Sequence, residues 1–123
     1  MHYTIILSTL LLCAACSKTS PQPADVARPT AQADAPALPN TKEATQALLE
    51  MLDMQGQQNA EAKLGTCIPA VQAEHPGQVA CTVAVKIGAG TSETQADFYR
   101  RGSQWVAQPS RSQDQLPFPD PKL

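Results

Sequence analysis

Apolar residues recur at helical spacing in one stretch, "PNTKEATQALLEMLDMQG". There Ala44, Ala47, Leu48, Met51 and Leu52 form a stripe, with Lys42, Glu43, Gln46, Glu50 and Asp53 on the other side. Asn40 stands at the N-cap, and Glu43 follows three places later, where its carboxylate can return to the cap N–H. Gly56 weakens or ends this helix, and "QQNAEAKLG" reads as a second short helix with Gly65 as its stop.

The period then changes from helical to alternating. In "QVACTVAVKIG", Val79, Cys81, Val83, Val85 and Ile87 fall on one face of a strand, with Ala80, Thr82, Ala84 and Lys86 on the other. "GAGTSE" is turn material, "TQADFYRR" reads as a second strand with Ala96 and Phe98 on a shared face, and "QWVAQ" is a third. Upstream, "TCIPAV" is an additional short strand that Pro69 confines to an edge, because proline cannot donate to a ladder. The turn before "QWVAQ" has two solutions. Centred on Arg101-Gly102 it sets Phe98 opposite Trp105; centred on Gly102-Ser103 it sets Arg100 against the indole.

The expected architecture is α+β: one N-terminal amphipathic helix, or two, packed on a small antiparallel meander of three or four strands. Val79, Val83, Val85, Ile87, Phe98 and Trp105 would close on the Ala44–Leu52 stripe. The folded region spans 41–108. The segment 109–123 carries four prolines and no period; partial docking along the domain through Leu116 and Phe118 is favoured, with a loose tail or a partner-binding segment as the alternatives.

A different pattern opens the chain. Ile5 to Leu12 is mostly apolar and runs into "CAAC", too short for a membrane-spanning helix but suited to the apolar region of a secretory signal. "CAAC" resembles the lipobox of bacterial lipoproteins, although Cys13 stands where that family usually has Leu and "MHYT" lacks a Lys or Arg. The resemblance covers the first sixteen residues. It implies a signal peptide over 1–15, cleavage after Ala15, and Cys16 as the lipid-attachment residue carrying diacylglyceryl and palmitate-type chains. It also implies that Ser17 and Lys18, in place of an Asp, direct the protein to the outer membrane facing the periplasm. Two or three acyl chains anchor stably, since each buried CH₂ contributes about 0.8 kcal/mol.

Between Cys16 and Asn40, Pro, Ala, Ser, Thr and Gln dominate without periodicity, which reads as a disordered tether. Stretched as polyproline II it would reach roughly 70 Å, at about 3.1 Å per residue. In an oxidising envelope the two remaining thiols, Cys67 and Cys81, are expected to form a disulfide. Closing a loop of that size contributes about 3 kcal/mol in the chain-entropy model.

Charge and motifs narrow the function. A net charge of −2 and the lack of a basic stripe argue against nucleic-acid binding. Past the signal His75 is the sole histidine, in the turn "AEHPGQ", and no nucleophile elbow, phosphate loop or zinc-protease helix occurs. Glu93 and Asp97 can share a strand side, and nothing in the sequence makes them an acid–base pair rather than a solvated face. Arg100 and Arg101 beside Tyr99 and Trp105 are candidates for an anion or a glycan. The expectation is therefore a non-enzymatic protein with no cofactor and no metal: a binding or accessory module held at the envelope. Two other classes stand beside it, a structural or pilot subunit of a secretion, pilus or plasmid-transfer complex, and an inhibitor-like or ligand-binding module. The helix-then-meander layout resembles that of cystatins, but "QVAC" at Gln78 to Cys81 lacks the glycine of their Q-x-V-x-G hairpin.

Overall fold

The computed structural model describes residues 35–123. The signal-like run, Cys13, Cys16 and most of the tether lie outside the described residues. Within them a single α-helix, α1 (Thr41–Met51), precedes four strands, β1 (Ala60–Pro69), β2 (Val79–Ile87), β3 (Gly90–Arg101) and β4 (Gln104–Pro109). The strands form one antiparallel meander in the order β1-β2-β3-β4, so the α+β reading stands.

The capping box forms as its residues dictate. The Glu43 N–H donates to Asn40 Oδ1 at 3.0 Å, and the Asn40 N–H donates to Glu43 Oε2 at 2.9 Å. The helix ends earlier than the sequence suggests. Asp53 takes the left-handed conformation (φ 56). The Met54 N–H then reaches the Leu49 carbonyl at 2.7 Å and the Asp53 N–H reaches that of Glu50 at 3.2 Å, closing a Schellman-type terminus. Leu52 consequently caps the helix and is exposed, while Leu49 joins the buried side with Ala44, Ala47 and Leu48.

The expected second helix does not form. Ala60 to Gly65 belongs to β1, which pairs with β2 from Ala60↔Ile87 to Pro69↔Val79. Alanine, glutamate and lysine favour a helix locally, but pairing with the strongly β-forming β2 outweighs that preference. "TCIPAV" contributes the far end of this same strand, and β1 is an edge, as Pro69 requires.

Nor is "GAGTSE" all turn. Gly88 and Ala89 alone make the two-residue connection, with Gly88 at φ 59, and β3 begins at Gly90. The β3–β4 turn is centred on Gly102-Ser103, pairing Arg101 with Gln104 and Arg100 with Trp105.

The core lies between α1 and one face of the sheet. Val79, Cys81, Val83, Val85, Ala96, Phe98, Trp105 and Ala107 pack there on Ala44, Ala47 and Leu48, with Ile87 and Met51 at its margin. The helix comes closest to the two edge strands, β1 and β4. Thr45 reinforces one of these approaches, its Oγ1 accepting from the Ala62 N–H at 2.9 Å.

The opposite face of the sheet is covered too. Residues 110–123, which include a short 3-10 turn at Gln113–Gln115, lie along it. They bury Ser110, Ser112, Leu116 and Asp120, and they leave Phe118 63% exposed. Ala80 and Thr82, on the outer side of β2, are fully buried as a result.

Candidate functional site

The outer face is organised around an irregularity in β1. Between Leu64↔Val83 and Cys67↔Cys81, the pair Gly65 and Thr66 opposes the single residue Thr82, a β-bulge. A bulge removes backbone groups from the ladder, and buried donors must find other partners. Here side chains supply them. The Thr66 N–H donates to Thr82 Oγ1 at 3.0 Å and to Asp120 Oδ2 at 2.5 Å, and the Thr82 hydroxyl donates to the same Asp120 oxygen. The other oxygen, Asp120 Oδ1, accepts from the Lys122 N–H at 2.9 Å, and the Asp120 N–H donates to Glu93 Oε1 at 2.7 Å.

Gly65 is what lets the tail approach this closely. A Cβ there would sit 2.7 Å from Thr82 Oγ1 and 2.8 Å from Leu123 Cγ. Burial by itself would push the Asp120 carboxyl up. Hydrogen bonds from the Thr82 hydroxyl and from the Lys122 and Thr66 N–H groups outweigh it and hold the group well below the usual carboxylate range.

The tail has a second attachment at the 70–78 loop. Pro76 and Gly77 (φ 68) form a type II turn closed by the Gln78 N–H donating to the His75 carbonyl at 3.2 Å. Buried Gln78 then ties three segments together. Its Oε1 accepts from the N–H groups of Glu74 and His75, and its Nε2 donates to Asp97 Oδ2 at 2.8 Å. The Val71 N–H donates to Ser112 Oγ at 2.9 Å, and an exposed ion pair, Arg111–Glu74, lies beside it.

The residues singled out in the sequence are thereby assigned places. Cys67 and Cys81 form a disulfide across a directly opposed pair of β1 and β2, with Cα atoms 4.1 Å apart. His75 stacks on Tyr99 with ring centroids 3.7 Å apart. Glu93 and Asp97 do share a strand side, but as hydrogen-bonding anchors under the tail and the loop rather than as a solvated pair.

The four residues considered for an anion or a glycan are divided by the alternation of β3. Arg100 lies over the Trp105 ring at 4.6 Å on the helix side, whereas Arg101 bonds the Tyr99 hydroxyl at 3.0 Å on the other. They do not converge on one ligand.

Two depressions flank the solvent side of α1. One of about 650 Å³ opens toward the start of β1 and is lined by Thr45, Gln46, Leu49, Gln55, Gln58 and Glu61 among others. The other, of about 120 Å³, lies toward β4 and is lined by Glu43, Gln46, Glu50, Ser103, Gln104 and Trp105. The Gln46 Nε2–Glu50 Oε1 bond, 3.2 Å long, forms the ridge between them. The larger is lined by amides and hydroxyls together with Leu49, Ala60 and the charged Lys42, Glu50 and Glu61.

Among the described residues, no group of three or more His, Cys, Asp or Glu is placed to hold a metal ion, and no helix is long and apolar enough to cross a membrane. No protein-family model, curated protein or solved structure matches the chain.

Sequence reasoning missed the Asp120–Thr82–Thr66 cradle. Its one visible signal was Gly65 followed by Thr66 amid alternating residues, which marks a bulge once the stretch is read as a strand.

Proposed function

We propose that the chain is a lipid-anchored envelope lipoprotein, held through Cys16 and carrying a small non-catalytic binding or accessory module on a Pro/Ala-rich tether. The observation that carries this reading is the joining of Cys67 to Cys81 in a chain that opens with a lipobox-like run. Disulfides persist in oxidising compartments, and small exported domains rely on them because a small core yields only a few kcal/mol. Ser17 and Lys18 after the acylated cysteine favour the outer membrane, with the domain facing the periplasm.

The non-catalytic part of the proposal is supported by how the polar side chains are used. Asp97, Asp120, Glu93 and Gln78 all hold the tail or the loop in place, and His75 packs on an aromatic ring. A cystatin-like layout belongs to the same proposal, supported by the meander that draws both edge strands toward the helix. Gln78 to Cys81 is buried within it, so the inhibitor-like reading gains nothing from that segment. The ligand-binding variant is favoured by the 650 Å³ depression beside α1, a volume within the usual range for small-molecule sites.

Palmitate labelling of the full-length protein in a bacterial host tests the anchor. The native chain should incorporate label and fractionate with membranes, and Cys16→Ser should do neither. Labelling that survives Cys16→Ser, or a native chain that is never labelled, would overturn the proposal.

A further inference from the structure

The disulfide and the tail anchor are built on the same two pairs of adjacent residues. Cys67 follows Thr66 and Cys81 precedes Thr82, and it is Thr66 and Thr82 that hold Asp120. The staple lies on the helix side of the sheet with Cys81 in the core, and the cradle lies on the far side. A bulge is the place where a ladder is weakest, because its extra residue has no backbone partner. Here the bulge sits immediately beside a covalent cross-link between the same two strands.

We infer that the Cys67–Cys81 disulfide preforms the Asp120 cradle, so that the segment 110–123 is a redox-sensitive strap. Oxidised, the cross-link holds the Thr66 N–H and the Thr82 hydroxyl together, and the Asp120 carboxylate binds a site already assembled. Reduction needs an external dithiol. It delivers two electrons and two protons to the S–S bond, leaves thiols at Cys67 and Cys81, and itself closes to a disulfide. The bulge is then free to shift register, Asp120 loses its two donors at the bulge, and the strap lifts from Ala80 and Thr82.

Linkage adds a sharper requirement. If reduction weakens strap docking by some factor, undocking the strap must favour reduction by the same factor. The inference concerns residues 60–123 alone and does not depend on acylation at Cys16.

The test uses the full chain with dithiothreitol as the reductant. Three quantities are read: the rate of tryptic cleavage after Arg111, hydrogen exchange at the Thr66 amide, and Trp105 emission, which reports the helix side. Reduction should raise the cleavage rate and the Thr66 exchange rate by roughly 5–150-fold, the usual span of coupling between two sites, with Trp105 emission unchanged. Oxidised Asp120→Asn should show the same strap release, and its equilibrium in dithiothreitol should move toward the dithiol by the same factor. Thr82→Val, which keeps the branched shape and removes the hydroxyl, is the second variant and should move in the same direction.

Equal cleavage rates before and after reduction would overturn the inference. So would a shift in Trp105 emission in step with cleavage, which would mean that the staple holds the whole domain rather than the strap. An unchanged dithiothreitol equilibrium in both variants would overturn it as well.

Discussion

The two faces of the sheet are held by different physics. Toward α1, the interface is a set of apolar side chains, from Val79 and Val83 to Phe98 and Trp105, whose contacts are numerous and individually replaceable. Toward the tail, a few hydrogen bonds with fixed donors and acceptors do the work: Thr66 and Thr82 to Asp120, Gln78 to Asp97, Val71 to Ser112. Apolar burial is non-directional and scales with area. A buried polar contact is modest when made and costly when half of it is removed. The first face should therefore fail by losing stability, and the second by losing one specific attachment.

The largest effect is expected on the apolar face. Phe98→Ala removes a fully buried ring from the centre of the core and should cost about 3–5 kcal/mol, read as a lowered urea midpoint for both the α1 helical signal and the sheet. If the helical signal and the sheet were lost at separate midpoints, the apolar face would not be one cooperative unit and the contrast would need redrawing.

A smaller and more local loss is expected from Gly65→Ala. The added methyl has no room against Thr82 and Leu123, and overpacking of this kind costs about 1–3 kcal/mol. Exchange at the Thr66 amide should rise sharply while Trp105 emission stays put. A matching change at Trp105 would show that the bulge supports the apolar face as well.

The smallest effect is expected from mild acid. The Asp120 carboxyl is held below its ordinary range in the folded protein, so the unfolded chain binds the proton first. The stabilisation is fully present above the unfolded value of about 3.9, and it is lost as the pH falls through the lower folded value. Between pH 7 and 5, tryptic cleavage after Arg111 should be unchanged. An increase in that window would mean that some other titrating group fastens the strap.

These contrasts also explain what was legible. The capping box at Asn40 and Glu43 and the alternation of Val79 to Ile87 are local patterns. Their partners lie within a turn of helix or along one strand, and the helix start and the strand formed where the residues place them. The Cys67–Cys81 pairing follows from counting cysteines on the reading that Cys13 leaves with a signal and Cys16 carries lipid. Ala60 to Gly65 was misread because its composition favours a helix when taken alone, and only the neighbouring β2 makes it a strand. Gly65 carried the same ambiguity: a glycine after a helical run reads as a stop, and a glycine inside a strand reads as a bulge.

Local chemistry written in neighbouring residues, then, determined the helix start, the central strand, the edge character imposed by Pro69 and the α+β class. Tertiary structure alone decided that β1 is one long strand, that the β3–β4 turn puts Arg100 on Trp105, and that Asp120 reaches a bulge 54 residues earlier in the chain. The reason is physical. Periodicity records which side of an element meets apolar surroundings, whereas a hydrogen bond between distant groups depends on where the backbone has carried them, and no repeating pattern along the chain encodes that.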